Sequence, residues 1–467
     1  MAIADTSVRT PRPLALLQSI LIVWGVLVIA ACDPPRVTDS PSVAMQVTAD
    51  AAANLAPKPL KPPVSGDVVV VGGIGALNKS TAIAEYYNPA TGKFSATGAA
   101  LKPAALAIGG LLTADVPNTE LLIGGGFTGV GKFFKRTVGL NITGAAIDDL
   151  EIYDTSTGKF HAANAPLLEV RFGATATVLQ NGKVLIAGGA DSSGNPTATA
   201  EVFDPTTGTT TATANNMSSP RLFHTATLIQ SDGTVLLAGG GVDNNGDLTD
   251  TADIYDPAAN QFTPTFGAML APVAAHAALY LPATGQVLIA GGANSFGALF
   301  ATTAVETYDP ATHTFSIAPN SMNDARAFHT MTQLLNGQVV VIGGFSFGDA
   351  SIFQGKPTGL FGISVDTAEI YDPTAQTFTC VGGTGKARYT TCNPTMPIGR
   401  GGHTATLFTS GPKQGQVLVA GGFGAPRPAA TSAVLRNVEL FNPATNKFSP
   451  TGPMRSPHGL HQAFLLP

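Results

Sequence analysis

The feature that most constrains this chain is a glycine doublet that recurs seven times, each time after a run of aliphatic residues. Four of the six intervals between doublets are 51 or 52 residues, and the other two are 64 and 78. A fixed period of this length predicts a repeat architecture with one supersecondary unit per repeat. The doublets are Gly72-Gly73, Gly124-Gly125, Gly188-Gly189, Gly239-Gly240, Gly291-Gly292, Gly343-Gly344 and Gly421-Gly422.

A second element follows each doublet: an acidic residue, a short apolar stretch ending in Tyr or Phe, and an Asp or Asn that usually precedes Pro. Such a pair predicts a turn, because the Asx side chain bonds nearby backbone and Pro presets φ. A Thr-Gly or similar pair and usually a Phe come next, which predicts a further strand. The acidic residues are Glu85, Glu151, Glu201, Asp253, Glu306, Glu369 and Glu439.

A third element precedes the doublets: five methionines each stand seven residues before a histidine, namely His224, His276, His329, His403 and His461. The second and third repeats are expected to carry Ile108 and Ala174 at this position instead. Arg221, Arg326 and Arg400 stand three residues before their histidines. Asn-Gly and Asp-Gly pairs then predict a hairpin into the glycine strand. Each repeat therefore encodes four antiparallel strands.

These motifs resemble the kelch repeat, with its Arg-x-x-His start, Gly-Gly doublet, Tyr-Asp-Pro turn and closing aromatic residue. The resemblance covers residues 66–467 and implies an all-β, seven-bladed kelch-type β-propeller. The closing aromatic is Phe here, or Thr210 in one repeat, where kelch repeats commonly have Trp. The first repeat lacks its initial strand. Residues 454–466 supply it at the other end, so the last strand is expected to complete blade one.

The N-terminus reads as an export signal, since Arg9 and Arg12 precede an apolar stretch from Leu14 to Ala31. The stretch ends in Ile29-Ala30-Ala31-Cys32, which resembles the lipobox of bacterial lipoproteins and implies lipidation of Cys32. We expect a signal peptide at 1–31, a flexible tether rich in Pro and Ala at 32–65, and the propeller at 66–467. A plain membrane anchor and an ordinary signal peptide are the alternatives. All three place the propeller outside the cytoplasm, and lipidation of Cys32 places it in the cell envelope, at the inner or the outer membrane.

Charge and motif content exclude some functions. A net charge of −5 and a pI near 5.9 argue against a nucleic-acid partner. No nucleophile motif, phosphate loop or metal signature is present, so we predict no catalytic residue, metal or cofactor, and a monomer. The periodic histidines are expected to pack between blades, and a metal-binding ring is the less favoured alternative. The periodic carboxylates are expected to pair with the repeat's arginines or with backbone amides.

Long connections in blades two, six and seven are predicted to leave from one face, because loops after the second and fourth strands of a blade emerge on the same side. Long loops on a rigid scaffold commonly carry binding residues. Cys380 and Cys392 bracket an insertion on this face and are expected to form a disulfide. The exposed ligand-binding candidates are Lys132, Phe133, Phe134, Lys135, Arg136, Phe345, Phe347, Phe353, Lys386, Arg388, Tyr389, Phe423 and Arg427.

Two classes of function follow. The first is a lipid-anchored binding or scaffold module that takes an unidentified protein or glycan on the face of the long loops. The second is a carbohydrate-active enzyme, epimerase-like or oxidase-like, with its site at the mouth of the central channel. The oxidase resemblance is the poorer one, because that family needs a further C-terminal domain for its copper site.

Overall fold

The computed structural model describes residues 61–76, 79–112, 119–132, 141–294, 301–346, 363–385, 390–424 and 433–467. Regular structure in these ranges consists mainly of β-strands and includes the 3-10 turn Gly411–Lys413. No helix in the described ranges is long and apolar enough to cross a membrane. The signal, Cys32 and most of the tether lie outside the described residues.

The strands form seven four-stranded antiparallel sheets, which are the blades. Blade one contains β1 (Val68–Val71), β2 (Ala84–Asn88) and β3 (Lys93–Ala96). Blade two contains β4 (Ile108–Leu112), β5 (Glu120–Gly124), an inserted hairpin of β6 (Phe127–Lys132) and β7 (Asn141–Ala146), then β8 (Leu150–Asp154) and β9 (Lys159–Ala162). Blade three contains β10 (Thr175–Val178), β11 (Val184–Ala187), β12 (Ala200–Asp204) and β13 (Thr209–Ala212).

Blades four and five have the same plain form. Blade four contains β14 (Thr225–Leu228), β15 (Val235–Ala238), β16 (Ala252–Asp256) and β17 (Gln261–Pro264). Blade five contains β18 (Ala277–Leu281), β19 (Gln286–Ala290), β20 (Val305–Asp309) and β21 (Thr314–Ile317).

Blades six and seven each insert a second hairpin between their second and third strands. Blade six contains β22 (Thr330–Gln333), β23 (Val339–Ile342), the pair β24 (Phe345–Ser346) and β25 (Ile363–Ser364), then β26 (Ala368–Asp372) and β27 (Thr377–Cys380). Blade seven contains β28 (Thr404–Leu407), β29 (Val417–Ala420), the pair β30 (Phe423–Gly424) and β31 (Ala433–Val434), then β32 (Val438–Asn442) and β33 (Lys447–Pro450). The last strand, β34 (Gln462–Leu465), belongs to blade one.

The apolar cores lie between neighbouring blades. The second strands are buried along their whole length, as in Val68–Val71, because a blade covers each of their faces. Continuous apolar runs, rather than alternating ones, are typical of strands buried on both sides. One such core packs Tyr87 and Phe94 of blade one against Phe408 and Leu418 of blade seven. The conserved spacing of Tyr and Phe therefore fills the space between blades.

The ring closes as the sequence predicts. β34 pairs antiparallel with β1, from Val68 opposite Leu465 to Val71 opposite Gln462. The seven innermost strands, β4, β10, β14, β18, β22, β28 and β34, contact one another in that order and β34 returns to β4. The fold is thus a seven-bladed propeller with four antiparallel strands per blade, and the predicted fold class is confirmed.

The glycine doublets make the joints between blades. In each blade the second glycine donates its backbone N–H to a carbonyl of the next blade, at 2.7 or 2.8 Å. The seven pairs are Gly73 with Ala104, Gly126 with Arg171, Gly189 with Arg221, Gly240 with Val273, Gly292 with Arg326, Gly344 with Arg400 and Gly422 with His458.

One doublet was placed one residue too early from the sequence. Blade two has three successive glycines, and the two with positive φ are Gly125 and Gly126, whereas Gly124 ends β5. The doublet position excludes side chains for two reasons. Its φ is positive, and a Cβ on Gly188 would lie 2.6 Å from the Arg221 carbonyl oxygen. The sequence pattern showed a glycine pair but not which pair makes the joint.

Two glycine variants in blade six separate these two reasons. Gly344→Ala places a Cβ 2.8 Å from the Ala327 carbonyl oxygen, whereas Gly337→Ala has nothing within 4 Å, and both positions have positive φ. We expect Gly337→Ala to lower the free energy of unfolding by about 1–2 kcal/mol, the cost of left-handed backbone for alanine. Gly344→Ala should cost clearly more. Chemical denaturation measures both, and equal losses would show that the close approach of Gly344 to the Ala327 carbonyl within blade six contributes nothing.

Candidate functional site

The central channel opens on the face that carries the inserted hairpins. At its mouth, one residue of each blade has left-handed backbone, with φ between +52° and +62°. Five of the seven are not glycine, and non-glycine residues in this region cluster at functional sites because their strain must be supported by surrounding structure. In order around the ring, starting at blade two, they are Leu106, Gly173, Phe223, Ala275, Phe328, Gly402 and Leu460. We call these seven residues the rim.

The rim is tied together by a chain of backbone hydrogen bonds. Each rim residue from Gly173 to Leu460 donates its N–H to the carbonyl of the rim residue before it, at 2.8 to 3.4 Å. Six such bonds run in one direction around the channel. The left-handed backbone is what turns the N–H of one blade toward the carbonyl of its neighbour. The rim is therefore a backbone structure whose side chains are free to vary.

A cavity of about 280 Å³ lies at the mouth. It is lined by the rim, by the residues that follow rim positions, and by Gln462. The five repeat histidines are among these following residues, with Ala107 and Ala174 in blades two and three. Ile108, expected at the histidine position of blade two, instead begins β4 and is buried in a core between blades. Within the described ranges, none of the lining residues is Asp, Glu, Lys or Arg.

The histidines are buried, and four of the five are held through one ring nitrogen. In four of them Nε2 lies 2.8 to 3.0 Å from a threonine hydroxyl of the preceding blade. Among the described residues, His329 Nε2 has no hydrogen-bond partner, because blade five has Ala277 where blades three, four, six and seven have threonine. This arrangement is that of packed core histidines. The Nε2 atoms are directed at hydroxyls between blades rather than at a shared point on the channel axis.

Burial keeps these histidines neutral. Desolvation, with the positive charge of the neighbouring arginine second, lowers the pKa of His224 and of His329 to about 3. Desolvation likewise lowers the pKa of His276 to about 4, and holds the pKa values of His403 and His461 well below their usual range. At neutral pH the mouth therefore carries no charge from its histidines, and a general acid built on imidazolium has no support there.

In blades three, four, six and seven a repeat arginine and a carboxylate of the same blade form a buried ion pair, as predicted. The N···O distances are 2.9 Å for Arg171–Glu201, 2.7 Å for Arg221–Asp253, 2.8 Å for Arg326–Glu369 and 2.7 Å for Arg400–Glu439. Each arginine also donates to the carbonyl of the first glycine of its own doublet. The arginine thus links the segment before the first strand to the glycine doublet of the same blade. Its charge is neutralised by the buried carboxylate.

Two members of this set were missed from the sequence. Arg171 was overlooked because its blade has Ala174 in place of the histidine, although the three-residue spacing is intact. In blade one His458 replaces the arginine, with Nδ1 2.8 Å from the Gly72 carbonyl oxygen and Nε2 3.1 Å from a Glu85 carboxylate oxygen. Aligning each repeat on its glycine doublet would have found both.

Blades two and five have no cation at this position, since Ala104 and Val273 stand there. Glu151 accepts two backbone N–H groups, from Leu101 and Lys102. Glu306 accepts one, from Leu270 at 3.0 Å. Burial raises the pKa of Glu306 to about 7, and the Leu270 N–H opposes this only in part. Glu306 is therefore the repeat carboxylate whose charged form has the least support, with one hydrogen-bonded backbone N–H and no cation at the arginine position.

The insertions rise from apolar residues directly after the doublets. The residue at this position has a large side chain in four adjacent blades, which are six, seven, one and two. It is alanine or glycine in the other three blades. Each of these residues forms a β-bridge with the residue two positions before the histidine position of its blade. Around the ring from blade six they are Phe345, Phe423, Ile74, Phe127, Ala190, Gly241 and Ala293.

Phe345 and Phe423 were expected to be exposed ligand contacts, and that expectation is wrong. Their exposed fractions are 2% and 4%. A Cβ on Gly401 would lie 2.4 Å from the Phe345 ring, and one on Gly459 would lie 2.5 Å from the Phe423 ring, so both rings cover glycines beside the rim. They anchor the bases of the inserted hairpins from below.

The other loop candidates are not placed by the structure. Lys132 ends β6, and its side chain lies outside the described part of the chain. The same holds for Phe133, Phe134, Lys135, Arg136, Phe347, Phe353, Lys386, Arg388, Tyr389 and Arg427, which stay predictions.

The predicted disulfide is present and joins Cys380 to Cys392, with Cα atoms 5.2 Å apart. Asp324 holds the returning chain by accepting the Thr391 backbone N–H at 2.6 Å. In the described residues, one group of three possible metal ligands comes together: Asp324, Glu369 and Cys392. The Cys392 sulfur is bonded to Cys380, and both carboxylates face Arg326, so this group has no donor set for a metal.

Comparisons with known proteins agree with this architecture. A model of the Attractin/LZTR1 β-propeller matches residues 136–358. The fold is a kelch-type β-propeller. No curated protein matches the sequence significantly. Among 578 matching chains of solved structures is one titled "Structure of YjhT". It is 14% identical, with a TM-score of 0.49, over 75% of this chain and 98% of that one, and we draw nothing about function from a likeness at this level.

The missing cation of blade five has a pH-dependent consequence. The folded state holds the Glu306 proton with a pKa of about 7 against an ordinary value of 4.5, so the free energy of unfolding falls as pH rises between these values. We expect Glu306→Gln to stabilise the chain by about 2–3 kcal/mol at pH 8 and by almost nothing at pH 4.5.

The matched control is Glu439→Gln in blade seven. It leaves Arg400 buried without its partner and should destabilise the chain by about 3–5 kcal/mol. Thermal or denaturant unfolding at several pH values measures both variants. A Glu306→Gln effect that is independent of pH, or of the same sign as that of Glu439→Gln, would contradict the assignment.

Proposed function

We propose that this chain is an envelope-anchored binding module, which takes a protein or glycan on the face of the propeller that carries the insertions. The observation that carries the proposal is the grouping of the large residues that directly follow the glycine doublets, which we call the insertion bases. The large residues Phe345, Phe423, Ile74 and Phe127 follow the doublets of four neighbouring blades, beside the rim. Three of these blades add hairpins there, so the added chain is concentrated on one side of one face. Such a rigid base with long loops is the usual form of a binding surface.

The chemistry of the described mouth favours binding over catalysis. Acid–base catalysis needs a titratable group within reach of the substrate, with a pKa near the working pH. The lining histidines are neutral, and the arginines and acidic residues of the repeats are held in buried structural contacts. The proposal therefore assigns no catalytic residue.

The location is part of the proposal and is supported by the sequence alone. Arg9, Arg12, the apolar stretch and the lipobox-like Ile29-Ala30-Ala31-Cys32 favour export and lipidation at Cys32. Residues 32–65 would let the propeller stand away from the bilayer. We propose the extracytoplasmic side of the cell envelope.

The test uses the full chain in detergent, with glycan arrays and capture from native envelopes. We expect specific capture that falls at least tenfold when Phe133 and Phe134 are both replaced by alanine. Phe266→Ala is the control, because Phe266 is 88% exposed in the connection between β17 and β18, away from the insertions. Equal loss from both variants would show non-specific apolar contact.

A second readout tests the absence of catalysis. Sugars that bind the chain are incubated with it and analysed for conversion. Turnover that His403→Gln or Arg400→Gln abolishes, with the fold intact, would replace the binding proposal by the enzyme class.

A further inference from the structure

We propose that the channel mouth is a socket for one uncharged, apolar side chain of a protein partner. The socket is the cavity formed by the rim and the residues that follow it. This inference rests on the proposed function, since it names which of the two ligand classes the face takes and where the partner is anchored. Single buried anchor residues commonly dominate the affinity of protein interfaces.

The first argument is charge. The part of the lining that the structure describes contains no carboxylate, lysine or arginine, and its five histidines are neutral. A charged group that entered would lose its hydration without gaining an ion pair, which is strongly unfavourable. An uncharged lining is complementary to an uncharged occupant.

The second argument is the state of the polar groups in the wall. The rim N–H groups from Gly173 onward already donate to neighbouring rim carbonyls. Four histidine Nε2 atoms already contact threonine hydroxyls, and the Gln462 side-chain amide donates to the Ala107 carbonyl at 2.7 Å. A sugar that entered would lose its hydrogen bonds to water and would form few with the protein. Each hydroxyl left unpaired would raise the free energy of the complex. An apolar side chain has no such cost, which favours a protein over a glycan.

The third argument is shape and size. Phe223 and Phe328 approach each other edge to face across Ala275, with ring centroids 5.5 Å apart. Both rings are half-buried, as are Leu106 and Leu460 on the other side of the mouth. Aromatic rings in this geometry favour a further aromatic or aliphatic group. The volume of about 280 Å³ is at or below the lower limit of small-molecule sites, and suits one large side chain.

The test uses the full chain labelled with ¹³C in its histidines and a set of capped amino acids as probes. N-acetyl-phenylalaninamide should shift the His224, His276 and His329 ring signals saturably, at about millimolar concentration. N-acetyl-lysinamide, N-acetyl-aspartamide and methyl glucoside should not. Phe328→Ala should lower the affinity for N-acetyl-phenylalaninamide at least tenfold, and Phe266→Ala should leave that affinity unchanged.

The outcomes separate this inference from the proposed function. Preferred binding of methyl glucoside or of a charged probe, or no histidine shift with the phenylalanine probe in the unsubstituted chain, would overturn the socket. The measurement on the unsubstituted chain can be made even if Phe328→Ala fails to fold. Partner capture that depends on Phe133 and Phe134 but not on Phe328 would also overturn it, while leaving the binding module in place.

Discussion

The structure depends on the contact between the glycine doublet of each blade and the segment that leads into the first strand of the next blade. The backbone N–H of the second glycine donates to a carbonyl of that segment in all seven blades. The first glycine lies against the same carbonyl oxygen, so only a residue without a Cβ fits there at positive φ. The interblade cores, the ion pairs and the rim are all positioned by this joint. A seven-membered ring is thus held by one short contact repeated seven times.

The blades differ in how the joint is supported. Four use a buried arginine paired with a carboxylate, one uses His458, and blades two and five have no cation. Buried ion pairs add little net stability but are costly to break, because the remaining charge is then unpaired. Blade five lacks both the cation for Glu306 and the threonine for His329, so its contacts are the least satisfied of the ring. The repeat tolerates such losses because each blade contacts only its two neighbours.

The fold could be predicted from the sequence because it depends on periodic, local features. Doublet spacing gave the number of blades, and the orphan strand at 454–466 gave the closure. The pairing of Glu369 or Glu439 with an arginine was predicted because both residue types recur once per repeat. What could not be predicted depends on packing in three dimensions. Phe345 and Phe423 stand in loop-like sequence, yet they are buried because Gly401 and Gly459 leave room for their rings. The rim was also missed, since left-handed backbone at Phe223 or Phe328 has no sequence signal.

The rim has a further property that follows from the number of blades. From Leu106 to Leu460 its side chains alternate between large and small. An odd-numbered ring cannot alternate throughout, so two large residues must be neighbours, and they are Leu460 and Leu106. The mouth therefore has no rotational symmetry despite the sevenfold backbone. The mismatch falls at blades one and two, within the half of the ring that carries the insertion bases. An occupant of the mouth would meet one pair of adjacent large residues on one side only. Because the number of blades is odd, the rotational orientations of that occupant are not equivalent.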